Sequence, residues 1–213
     1  MKRLLFLGLV VALVGSGAAL AGRGDPQKEI KPTDQARAKA MLLKKSDLGV
    51  GFKATKAVDT NDDFYCPALD ESDLTLTGEA ESPDFERAIV FISSLAQVYE
   101  SVADSNSSWR RGTSKAGEKC VRDEFRRQFS SDGLRLLSFK RLSFSSLADR
   151  SIAYRLVATG QGITAYVDVV ILQKARAQSA LLFVAAPAPV AKSEQVRLAR
   201  IVAGRMATAM RGA

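Results

Sequence analysis

Arginines form the densest group of residues here that could do chemistry. Trp109-Arg110-Arg111 stands a short way before Arg122, Arg126 and Arg127. Arg122 and Arg126 fall one helical turn apart, on one face of a predicted helix. A guanidinium presents a fixed fork of donors that fits phosphate or carboxylate. The group therefore points to an acidic ligand, such as an envelope glycan, or to a solvated surface. Tyr154 and Tyr166 fall on neighbouring predicted strands, where they can line a cleft with Arg155 or Asp168 or serve as core rings with a wet hydroxyl.

Other chemistries are excluded by what is missing. The chain has no histidine, which removes Ser-His-Asp and Cys-His hydrolysis and His-ligated zinc. No phosphate-binding glycine motif is present; Gly160-Gln161-Gly162 lacks a third glycine and sits between strands. Asp59, Asn61 and Asp63 alternate as in a calcium loop. Phe64 takes the place of the required glycine, however, and Asp70 that of the closing glutamate. Paired carboxylates, Glu79 with Glu81 or Asp70 with Asp73, leave a glycan hydrolase as the alternative. The reading is a non-catalytic domain with no cofactor and no metal, binding a small molecule, an envelope glycan or a protein. A structural envelope protein is a further alternative.

Residues 1–21 carry the features of an export signal. Lys2-Arg3 precedes an apolar run from Leu4 to Val14, and Ala19-Leu20-Ala21 is a cleavage pattern. The run is short for a bilayer span, so the mature chain is expected to lie free of the membrane, secreted or periplasmic. Loss of Lys2 and Arg3 lowers the formal charge from +8 to +6. With export, nucleic acid is not an expected partner. Cys66 and Cys120 are the two cysteines, and in an exported chain they read as a disulfide. It closes a loop of about 55 residues, worth roughly 4 kcal/mol by chain entropy.

The elements around these residues follow from periodicity. Residues 22–32 read as a flexible segment, and 33–213 as a single domain. A helix capped by Thr33 runs to about Lys45, and strands follow at 52–58, 74–81 and 86–93. From Leu95 the spacing of Leu95, Val98, Tyr99 and Val102 predicts a helix towards Trp109. A break at Gly112–Gly117 and a second helix from Lys119 to Phe129 come next. Strands at 134–144, 151–159, 163–172 and 180–186 lead into a terminal helix over 191–210. Short turns between successive strands imply a mainly antiparallel sheet, giving an α+β fold with helices packed against it at both chain ends.

The segment Met41-Leu42-Leu43 with Asp47-Leu48-Gly49-Val50-Gly51-Phe52, then Cys66-Pro67, Phe91-Ile92-Ser93-Ser94, Trp109 and Cys120, resembles the extracytoplasmic sensor-type domains of actinobacteria. Their best-known member is the C-terminal domain of PknH-type mycobacterial kinases. The resemblance covers most of residues 33–210 and implies an α/β sensor or ligand-binding domain with a cleft. The chain departs from it in having cysteines for one disulfide rather than two. A similar arrangement occurs in the PsbP/Mog1-like group, the alternative fold reading.

Overall fold

The computed structural model describes residues 24–56, 66–131 and 133–212, so the signal-type segment and the acidic stretch 59–63 lie outside the described residues. The α+β expectation holds. Among the described residues the strands are β1 (Gln27–Lys28), β2 (Lys53–Thr55), β3 (Thr75–Glu81), β4 (Asp84–Arg87), β5 (Val90–Tyr99), β6 (Arg135–Leu142), β7 (Arg150–Gly160), β8 (Ile163–Lys174) and β9 (Ala177–Ala185). The helices are α1 (Pro32–Met41), α2 (Val102–Gly112), α3 (Lys115–Ser131) and α4 (Lys192–Ala209). The strands form one sheet in the order β1-β3-β5-β9-β8-β7-β6, with β4 joining β5 and β2 pairing with β4. Every pairing is antiparallel except β1 with β3.

β7, β8 and β9 form as the alternation predicts. Gln161 and Gly162 both take positive φ, the geometry of a tight two-residue hairpin, and set the β7–β8 register. β9 is apolar on both sides because it lies between β5 and β8 with helices on both faces. Leu181 and Phe183 join Met41, Val170, Val202 and Met206 under α1 and α4. Leu182 and Val184 join Leu156, Val167 and Phe129 under α3. The sheet is thus the middle layer of three.

Several expectations are corrected. Leu95 to Tyr99 is not helical; β5 runs to Tyr99 and pairs with both β3 and β9. The helix starts at Val102, capped by Ser101, whose hydroxyl accepts from the Asp104 amide. Pro32 occupies the first turn of α1 and Lys31 the cap position, not Thr33. The helix ends at Met41, before the expected Lys45. Residues 112–117 do not all lie in a break, since α3 already begins at Lys115.

α1 seats closely on β3 because position 78 is glycine: a Cβ there would lie 2.4 Å from the Asp34 carbonyl oxygen. This brings Asp34 inside, 4% exposed. Its carboxylate takes a two-pronged contact from Arg176, both at 2.8 Å, with further donors from Arg37 at 2.8 Å and Thr77 at 2.6 Å. Asp47 is held likewise by Arg205 of α4, and Asp168 by Arg155 and by Gln195 of α4. These contacts tie both helices of that face to the sheet and to each other.

Candidate functional site

On the other face, α3 crosses the free edge of the sheet. Ser114 caps it by accepting from the Gly117 amide at 2.9 Å. Gly117 lets its first turn rest on the end of α2; a Cβ there would lie 2.3 Å from the Arg111 carbonyl oxygen. The disulfide Cys66–Cys120, with Cα atoms 6.0 Å apart, pins the same helix to the segment before β3. Further along, Phe129 and Phe125 pack with Leu134, Leu136 and Phe139. The helix is thereby fixed at both ends over β6.

Between α3 and β6 lies a pocket of about 260 Å³, lined by Lys115, Glu118, Lys119 and Arg122 from the helix and Phe139, Lys140 and Arg141 from the strand. Lys115, Lys119 and Arg122 follow one stripe, at i, i+4 and i+7. Strand alternation turns Phe139 and Arg141 towards α3 and the Lys140 side chain towards the opposite face. Tyr154 stands opposite Arg141 in the ladder, behind the lining residues Phe139 and Glu118 that it contacts. Its ring stacks on Phe139, centroids 5.5 Å apart, and its hydroxyl donates to Glu118 at 2.7 Å. Burial, and then that bond to an anion, push the Tyr154 hydroxyl pKa well up, so it remains a donor.

Cations outnumber carboxylates along this lining. Lys115 and Arg141 make no hydrogen bond or salt bridge among the described residues. Arg122 Nε is shut off from solvent with no hydrogen-bond partner; the nearest carboxylate oxygen, on Asp123, is 3.6 Å away. Lys119 and Arg122 both form an ion pair with Asp123, at 2.6 Å and 3.6 Å. A buried donor without an acceptor costs about 1–3 kcal/mol, and the rest of the Arg122 side chain, which is 41% exposed overall, is what an incoming anion can reach.

The arginine group of the sequence is not gathered at one place. Of its members, Arg122 lines the pocket. Arg126 lies one turn on and contacts Asp123 at 3.0 Å. Arg111 is committed to Asp73 by two bonds, at 2.6 and 2.7 Å. Arg110 reaches Ser107, and Trp109 is half-buried on α2. The two tyrosines do not share a cleft. Tyr154 pairs with Val169 and Tyr166 with Val157, which puts them on opposite faces of the sheet. Tyr166 lies instead beneath the Arg155 guanidinium. The paired carboxylates are engaged elsewhere: Glu79 accepts from Lys28 and Gln97, Asp70 from Ser72, and Asp73 from Arg111. Among the described residues no group of three or more potential ligands is placed to hold a metal ion.

Lys115, Glu118, Lys119, Phe139, Lys140 and Arg141 escaped the sequence reading. The stripe Lys115, Lys119, Arg122, Arg126 at i, i+4, i+7 and i+11 was the available signal.

No family model matches this chain, and no curated protein matches it. Among solved structures, it is similar to the X-ray structure of an uncharacterised protein from Mycobacterium smegmatis, the Rv0999 ortholog. That match has 14% identity and a TM-score of 0.45, covering 81% of this chain and 97% of the other.

Proposed function

We propose that this is an exported, non-catalytic binding domain of the sensor type, and that it takes an anionic envelope ligand in the pocket between α3 and β6. One observation carries the reading: the Arg122 guanidinium faces a concavity with its Nε buried and unsatisfied, beside the unpaired Lys115 and Arg141. Arg176, Arg155 and Arg205, by contrast, each make two hydrogen bonds to a carboxylate. Export is supported by the leader-like residues 1–21 and by the intramolecular disulfide, a bond that persists in oxidising compartments. No helix among the described residues is long and apolar enough to cross a membrane. The likeness to actinobacterial extracytoplasmic sensor-type domains points the same way. Glu118 is the one carboxylate lining the pocket, which gives a two-carboxylate hydrolase no second group there.

Thermal shift with phosphate-, sulfate- and carboxylate-bearing compounds against neutral ones tests the reading. Anions should raise Tm of the wild type at low salt, less so at high salt, and leave Arg141→Glu unmoved. Equal response to neutral and anionic compounds, or none to either, would refute it.

A further inference from the structure

We infer that the occupant of this pocket is an anionic sugar, a hydroxyl-bearing ring that carries a phosphate or a carboxylate. This rests on the anion-pocket reading above and adds a means of reading hydroxyls. A pocket meant for a bare anion gains nothing from a carboxylate in its wall, yet Glu118 stands between Lys115, Lys119 and Arg122. It makes no salt bridge to any of them among the described residues. Oε1 accepts from Tyr154, which fixes the group's position, and Oε2 has no partner among the described residues. An ionised carboxylate can only accept, so what it calls for is a donor. A sugar hydroxyl supplies one at a distance from the anionic group that the cations hold.

The aromatic wall fits the same ligand. Phe139 is stacked on Tyr154 and lines the pocket, offering an apolar surface to the C–H face of a ring. The volume, about 260 Å³, falls just below the roughly 300–1,000 Å³ of pockets for drug-sized ligands, and suits one sugar unit. Neutral sugars would bring no anionic group to the Arg122 guanidinium. Inorganic phosphate would satisfy Arg122, and its P–OH could donate to Glu118, but it offers no C–H face to Phe139 and fewer hydroxyls to the carboxylate.

Calorimetric titration of the mature protein at low salt decides the matter, with glucose 6-phosphate, glucuronate, inorganic phosphate and glucose as probes. At least one of the two anionic sugars should bind tenfold or more tightly than inorganic phosphate, and which one does so names the anionic group. Glucose should give no measurable heat. Glu118→Gln, which keeps an acceptor for Tyr154, should tighten inorganic phosphate and cut the preference for the sugar to threefold or less. If phosphate matches both sugars in the wild type, or Glu118→Gln keeps the full preference, the sugar assignment falls while the anion pocket stands. If no anion binds, both fall. Should Glu118→Gln fail to fold, the wild-type comparison of sugar with phosphate decides alone.

Discussion

Two regions of the molecule use their arginines in opposite ways. Under α1 and α4, Arg176, Arg155 and Arg205 each grip a buried or nearly buried carboxylate with two bonds. At the corner where α3 crosses β6, Arg122 and Arg141 have no such grip. The first arrangement joins helices to the sheet. Removing one partner of such a pair strands a buried charge, although forming the pair adds little net stability. The second arrangement contributes little to the fold and keeps its charge available. A cation that lines a concavity without a hydrogen-bonded carboxylate is the one that marks a binding site, however conspicuous the basic cluster elsewhere in the sequence.

The contrast makes separable predictions. Asp34→Asn should cost about 3–5 kcal/mol in denaturant unfolding, by leaving Arg176 unmatched, with little change in anion affinity per folded molecule. The Arg176 guanidinium holds the Asp34 carboxyl well below its ordinary range. Its contribution is therefore complete above the unfolded value near 3.8 and is lost as pH falls through the lower folded one. The same Asp34→Asn substitution should abolish that acid limb of the stability curve.

The disulfide sits on the other side of the contrast, since it holds α3. Replacing Cys66 and Cys120 by serine should lower stability by about 2–4 kcal/mol. It should also weaken anion binding, because Lys119 and Arg122 flank position 120. Unchanged affinity would mean that packing of Phe125 and Phe129 alone positions the helix.

The smallest effect concerns Glu71. Burial pushes its carboxyl above the ordinary value near 4.5, against donation from Ser108 and Tyr99. An acid whose folded pKa is raised stabilises the protein fully below the unfolded value and loses that contribution as pH climbs to the folded one. Glu71→Gln should accordingly flatten the stability curve just above pH 4.5 and leave stability at pH 7 equal or higher, by urea unfolding across that range.

How far the sequence could be read depends on how local each feature is. β7, β8, β9 and α4 were legible because alternation and a 3.6 period act over neighbouring residues. Leu95 to Tyr99 misled because β5 is covered on both faces: Ala96 and Val98 go to one core and Tyr99 to another, so the apolar spacing mimics a helix. The turn that separates the two tyrosines shows how one residue of register decides a face. The pocket was out of reach for a related reason. Arg122 stood out as basic, but Arg141 joins it through packing of Phe125 and Phe129 over β6, and a bulge between Leu136 and Ser138 resets that strand's faces.

Backbone NMR of the mature protein, titrated with glucose 6-phosphate, tests the central claim most directly. Saturable shifts centred on residues 115–122 and 139–141, and absent in an Arg141→Glu variant of wild-type stability, are the predicted result. Shifts centred on the α1/α4 face, or none at all at millimolar ligand, would contradict it.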